Sequence, residues 1–256
     1  MTVTDYKIVI PARYSSSRLP GKPLIELAGK PMIQHVYERA AVTGVKEIVV
    51  ATDDDRIAVV AKGFGADVVM TREDHENGTE RIAEVAQVRG WQADDVVVNL
   101  QGDEPLVPRD LIEATAAGLL NNPQAGMSSL CTAIATAEEV FDPNVVKVVL
   151  DQHQFALYFS RAPIPWDRDE YARSKAVSTK MPVYRHIGMY GYRVSFLQQY
   201  QLMEPCTLEQ TESLEQLRAL WYGTRIHMSV IESAPGHGVD TPADAERVAR
   251  LLAQEE

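Results

Sequence analysis

The chain has 256 residues, 45% hydrophobic and 24% charged, which suits one large globular α/β unit and excludes a disordered or low-complexity chain. Its net charge of −11 excludes general binding to nucleic acid or to an anionic membrane surface, yet leaves room for one small anion in a local basic pocket. No run of 18 apolar residues occurs, so neither a membrane span nor a secretion signal is expected, and Cys131 and Cys206, at no metal-ligand spacing, suit buried thiols in a reducing compartment.

The first predicted element is a buried strand over residues 7–10, a β-branched run that Pro11 should end because it cannot donate to a ladder. The strand opens into PARYSSSRLPGKP, which carries Arg13, Arg18 and Lys22 around three serines. Between Lys7 and Lys30 there are five basic residues against one acidic, Glu26, a local charge of +4. At the C-terminal edge of a first strand such a loop suits an anionic ligand: hydroxyls and unpaired amides donate to phosphate oxygens, and the cations offset their charge. Neither G-x-x-x-x-G-K-[ST] nor G-x-G-x-x-G is present, and the competing reading is a solvated turn.

A helix is expected over 31–42, with Pro31 in its first turn and a stripe of Ile33, Val36, Tyr37, Ala40 and Ala41. A second strand over 45–51 completes a βαβ unit with parallel strands. It runs into Asp53, Asp54 and Asp55, which favour capping of a helix at about 55–64 over a metal cluster. A third strand follows at 66–70, then a helix capped by Asn77 with Glu80 as reciprocal partner. The fourth strand, 95–100, is strongly apolar and delivers Gln101, Gly102, Asp103 and Glu104 at its C-terminal end. There Gly102 permits close backbone approach and Asp103 offers a hard carboxylate suited to Mg²⁺ between protein and phosphates.

After a helix at 108–120 the pattern changes. Strand-like runs at 127–135, 145–150 and 155–160 suggest a hairpin, with His153 in its turn, and the Pro- and charge-rich stretch 160–185 suggests an insertion or lid. Strand character returns at 185–192, followed by a short helix at 194–201. Thr207 with Gln210 should cap one longer helix that buries Leu214, Leu217 and Trp221 and leaves Glu215 and Gln216 off that stripe. A strand at 225–231 and a terminal helix begun by Thr241 and Pro242, with Ala245, Val248, Ala249 and Leu252 inward, complete the chain.

The segments IPARYSSSRLPGKPL, TDD, NLQGDEP, YFSRAPIP, RHIGMYGY, LEQLRALWYG and GVDTPADAERV together resemble the 3-deoxy-manno-octulosonate cytidylyltransferases, or CMP-Kdo synthetases, in family order over nearly the whole chain. The resemblance implies a Rossmann-like, three-layer α/β/α nucleotidyltransferase with a mixed, mostly parallel central sheet. It implies one domain over 1–256, with an inserted hairpin or lid and dimerisation region at about 128–190. It also implies a cytoplasmic, Mg²⁺-dependent homodimer that makes CMP-Kdo and pyrophosphate from CTP and Kdo for lipopolysaccharide biosynthesis. By motif, Arg13, Arg18 and Lys22 correspond to triphosphate contacts, Gln101 with backbone near Pro11 and Ala12 to cytosine recognition, and Asp103 and Asp240 to Mg²⁺ ligands. Lys22, Asp103 and Asp240 make up the implied catalytic set. Arg161, His186, Tyr190, Glu215 and Gln216 correspond to the sugar-binding set. A CMP-sialic acid synthetase is the nearest enzymatic rival, and a nucleotide-sensing protein without catalysis is the alternative from another class.

Overall fold

The structure, a computed structural model, describes residues 5–15, 19–174, 176–177, 181–236 and 238–255. Its first half comprises β1 (Lys7–Ala12), the short pair β2 (Glu26–Leu27) and β3 (Lys30–Pro31), α1 (Met32–Ala41), β4 (Ile48–Thr52), α2 (Asp55–Gly63), β5 (Asp67–Met70), α3 (Gly78–Arg89), β6 (Val96–Asn99) and α4 (Arg109–Leu120). The second half comprises β7 (Met127–Ala133), α5 (Ala137–Phe141), β8 (Lys147–Leu150), β9 (Ala156–Ser160), α6 (Arg168–Tyr171), β10 (Tyr184–Arg193), α7 (Val194–Tyr200), α8 (Thr207–Glu212), α9 (Gln216–Trp221), β11 (Ile226–Ile231) and α10 (Pro242–Glu255).

The main path of the large sheet has the order β11-β7-β10-β6-β1-β4-β5, with β8 and β9 branching from β10. Along that path only β10 runs against its neighbours. Successive residues of β1 alternate between two cores, which explains its unbroken apolar sequence. Ile8 and Ile10 face the side covered by α1 and α4, while Val9 faces the side covered by α3, α7 and α9. Because β1 pairs in parallel with both β4 and β6, the winding reverses there. A crevice opens outside the C-terminal ends of strands at such a point, and ligands of open α/β sheets bind in it.

β10 changes partners along its length. Its C-terminal half, from Tyr190 onward, lies between β6 and β7, whereas Tyr184 and Arg185 pair with β8. An irregularity between Ile187 and Tyr190 separates the halves. The Ser129 hydroxyl packs against it, its single proton within reach of the carbonyls of Ile187 (3.0 Å) and Met189 (2.9 Å). The segment between β7 and β10 forms the predicted antiparallel hairpin of β8 and β9 and has a small core of its own around Ile134, Val140, Tyr171 and Val183.

Several sequence expectations need correction. β1 continues through Pro11, which pairs in register with Ala51 of β4. The β6 ladder ends at Val9 opposite Asn99, so the residue without an N–H lies beyond that edge and costs no ladder bond there. The single helix expected after Thr207 is two short ones. Cys206 is the N-cap of α8, with Glu209 in the reciprocal position, and Ser213 takes a left-handed conformation, φ 51°, between α8 and α9. That break turns Trp221 outward, 59% exposed, and buries Gln216. Ala41 is exposed at the end of α1. Asp54 caps α2 as expected, accepting from the amides of Arg56 and Ile57, and the neighbouring Asp53 pairs with buried Arg81.

Candidate active site

The crevice at the ends of β1 and β6 is a cavity of about 410 Å³, lined by Pro11, Ala12, Arg13, Ser15, Lys22, Pro23, Gly78, Gln101, Gly102, Asp103 and Asp240. Two glycines let the chain form it. Gly21, φ 70°, makes the turn from Leu19 to Lys22 and donates its N–H to the Tyr14 carbonyl at 3.0 Å, closing the loop base. Gly102 lets the loops after β1 and β6 approach, since a Cβ there would fall 2.9 Å from the Pro11 carbonyl oxygen.

Lys22 is the centre of the charge arrangement. Its Nζ donates to Asp103 Oδ2 at 2.6 Å, to the Val239 carbonyl at 3.0 Å and to Asp240 Oδ1 at 3.1 Å. Burial works against its charge, but the two carboxylates outweigh burial and hold the ammonium above its ordinary pKa. Glu104 points away into a desolvated setting, and burial together with the Asp103 charge pushes its carboxyl up to about 7. Arg13 lines the cavity with its guanidinium bonded to the His75 and Glu76 carbonyls. Arg18 lies outside the described residues.

A second, water-sized cavity of about 10 Å³ lies beside the first, lined by Thr79, Tyr190, Tyr192, Tyr200, Glu215 and Gln216 among others. Tyr200 donates to Glu215 Oε1 at 2.9 Å. Gln216 Nε2 is buried without a partner among the described residues. His186 packs beside Tyr190 with the rings tilted by 51° and their centroids 5.5 Å apart, its Nε2 lies 2.9 Å from Ser129 Oγ, and burial pushes its imidazole down to about 3. Arg161 stands apart: its guanidinium donates to the carbonyls of Glu212 (2.7 Å), Pro143 (2.9 Å) and Ser213 (3.4 Å) and so fastens the break ahead of Glu215. Of the sugar-side residues, the structure thus gathers His186, Tyr190, Glu215 and Gln216 and places Arg161 against main chain.

The start of α3 contributes to the walls of both cavities. Gly78 lines the first and Thr79 the second, where Thr79 Oγ1 is 3.1 Å from the Tyr192 hydroxyl. Asn99, buried with Oδ1 unpartnered among the described residues, stands beside Gly78. Sequence reasoning did not select Gly78, Thr79, Asn99 or Tyr192. The Asn77 cap preceding a glycine marked the helix start, but only the topology shows that this start faces the crevice.

Residues 7–226 match the cytidylyltransferase family. The chain belongs to that family. Among its relatives is the 3-deoxy-manno-octulosonate cytidylyltransferase of Thioalkalivibrio sulfidiphilus, 57% identical with 97% of this chain and 99% of the relative covered. The protein of the same name from Hahella chejuensis is 54% identical, with 98% and 99% covered. A solved structure of CMP:2-keto-3-deoxy-manno-octonic acid synthetase complexed with CTP superposes with a TM-score of 0.87 at 47% identity, covering 98% of this chain and 99% of that one. The family's α/β sheet with helices on both faces is the architecture found here, and no helix among the described residues is long and apolar enough to cross a membrane.

Proposed function

We propose that this cytidylyltransferase transfers CMP from CTP to the anomeric hydroxyl of 3-deoxy-D-manno-octulosonate (Kdo), giving CMP-Kdo and pyrophosphate for lipopolysaccharide biosynthesis. One observation carries the reading: an ammonium, Lys22, held between two carboxylates in the crevice at the sheet's winding reversal, with Gln101 on the same wall. Near-full-length similarity to proteins of that name supports it.

The acceptor hydroxyl must reach a phosphorus surrounded by negative oxygens, and the acceptor is itself an anion. Lys22 and Arg13 offset the phosphate charge, with Arg18 assigned to the same task by the motif. Gln101 and the backbone at Pro11 and Ala12 read the cytosine. Gln101 supplies both a donor and an acceptor for its edge. Tyr190, His186, Glu215 and Gln216 are assigned to the acceptor, and because the space they surround holds only about one water, seating the sugar requires them to move apart; Arg161, by motif a sugar contact, also fixes the approach of Glu215. His186, kept neutral by burial, orients by hydrogen bonding.

Asp103 and Asp240 suit Mg²⁺. They are hard oxygen donors from two separate segments, both within 3.1 Å of one cation, and Mg²⁺ takes one or two carboxylates and completes its shell with phosphates and water. Among the described residues no group of three or more His, Cys, Asp or Glu forms an all-protein cage, which agrees with a metal shared with substrate. When bound, the ion neutralises phosphate charge and polarises phosphate oxygens. The active unit we propose is a cytoplasmic homodimer, one domain per chain with the insertion at about 128–190 as its contact. Leu157 (60% exposed), Trp166 (59%) and Met181 (44%) support that surface.

The deciding experiment is pyrophosphate release with each nucleoside triphosphate, with and without Kdo and Mg²⁺. Release should require CTP, Kdo and the metal together. Equal release with a sialic acid in place of Kdo, or none with Kdo, would overturn the assignment.

A further inference from the structure

The arginine on the nucleotide side is aimed by main-chain carbonyls, and those carbonyls are themselves held by a helix. Arg13 donates from Nη2 to the His75 carbonyl at 2.7 Å and from Nη1 to the Glu76 carbonyl at 3.4 Å. Both belong to residues 71–77, which contain neither helix nor strand. Side chains from α3 reach back over its N-terminus to fix this stretch. Glu84 Oε2 lies 2.5 Å from His75 Nε2 and accepts the Arg72 N–H at 3.0 Å. Glu80, one turn earlier, accepts the Glu76 N–H at 2.9 Å. Arg81, fully buried, donates to the Thr71 hydroxyl and to the Asp53 carboxylate. The His75 side chain is 2% exposed, so its contact with Glu84 is shielded from water.

We propose that Glu84 is a positioning residue for the triphosphate. Through His75 it sets the direction of the carbonyls at 75 and 76, and through them the conformation of Arg13. Glu84 is absent from the cavity lining and touches no substrate. Its effect is preorganisation. A long arginine loses rotamer freedom when it binds an anion, and a guanidinium already tethered in the cavity wall has lost that freedom before CTP arrives. Burial raises the Glu84 carboxyl, but the bonds from His75 and the Arg72 amide outweigh burial and keep it below its usual value, consistent with an ionised clamp. This inference rests on the assignment of Arg13 to the phosphates.

A double-mutant cycle tests it. CTP affinity by titration calorimetry, CTP KM, kcat and thermal midpoint are measured for wild type, Glu84→Ala, Arg13→Ala and the double variant. Glu84→Ala should raise CTP Kd and KM about tenfold, near 1.4 kcal/mol, with kcat within about twofold. Glu84→Gln, which keeps an acceptor and drops the charge, should show a smaller rise, about threefold, and supplies the same cycle if the alanine variant does not fold. Either change should add less than about twofold once Arg13 is already alanine, because the positioned group is gone. An undiminished Glu84 effect in the Arg13→Ala background, or no Glu84 effect beside a normal Arg13 loss, overturns the positioning role alone. Unchanged CTP affinity in Arg13→Ala itself overturns the phosphate assignment of Arg13, and the inference falls with it.

Discussion

Replacing Lys22 with methionine keeps most of the side chain's reach and removes its charge. The side chain is 14% exposed, and its ammonium makes three contacts of 2.6, 3.0 and 3.1 Å, two of them to carboxylates. If CTP binding exchanges one of these for a phosphate oxygen, the variant loses one charge-assisted hydrogen bond, about 1.5–3 kcal/mol. At 1.4 kcal/mol per tenfold, CTP affinity should fall about 10- to 150-fold, measured by calorimetric titration without Kdo. The same contact predicts a stability signature. The folded-state pKa of Lys22 lies above the ordinary lysine value of 10.5, so its stabilisation is complete below pH 10.5 and is lost as pH rises through the folded value. Urea midpoints of wild type should therefore decline in that alkaline window by a component that Lys22→Met lacks. The variant should be the less stable at pH 8, where Asp103 and Asp240 face each other without the cation. CTP affinity within about twofold of wild type, with identical alkaline limbs, would refute the electrostatic account.

Asp103→Asn and Asp240→Asn should each retain the fold and lower pyrophosphate release by about 10²- to 10³-fold, the usual scale for removing one group that stabilises developing phosphate charge; a near-normal rate in either removes that residue from the metal set. Gly102→Ala places a methyl 2.9 Å from the Pro11 carbonyl, so CTP KM should rise and stability fall by about 1–3 kcal/mol, and unchanged values would show that the two loops separate freely. His186→Gln should raise Kdo KM without altering CTP KM. The imidazole is pushed down to about 3 by burial, so wild type should lose stability as pH falls from 6.5 toward 3 while the unfolded chain takes up the proton, and the variant should lose less in that window.

The parallel half of the fold was legible because its strands are buried on both faces and therefore carry unbroken apolar runs, as at 96–98 and 48–51. Arg13, Lys22, Gln101 and Asp103, which line the larger cavity, were legible for a related reason: they follow closely on those runs, so locating the strands located the polar groups at their ends. The helix after Thr207 was misjudged because the helical spacing of Leu214, Leu217 and Trp221 reads on from the cap at 207 without a gap, although Ser213, just before that stripe, is held by tertiary contacts in a left-handed conformation. Glu212 shows how: its carboxylate accepts from Ser160 Oγ (2.6 Å) and the Arg161 amide (2.9 Å), and no local periodicity reports bonds across 51 or 52 residues. The role of the α3 start was hidden for the same reason, since Gly78 and Asn99 meet only through the sheet.

What joins the two cavities is strand register. Tyr190 stands opposite Asn99 in the antiparallel pairing of β10 with β6, and two residues beyond Asn99 the same chain presents Gln101, then Asp103. A slip of one residue in β10 would send Tyr190 and Tyr192 to the opposite face of the sheet and remove them from the wall they share with Thr79. The irregularity at 188–189 lets the His186 and Tyr190 rings stay in contact, centroids 5.5 Å apart, although the chain between them changes partners from β8 to β6. The hydroxyl of Ser129 lies within hydrogen-bond distance of the Ile187 and Met189 carbonyls and of His186 Nε2, and so ties β7 to the irregular stretch of β10. A reaction between two anions tolerates little error in their separation, and with the substrates seated as proposed above, the pairing of β10 with β6 would set that separation.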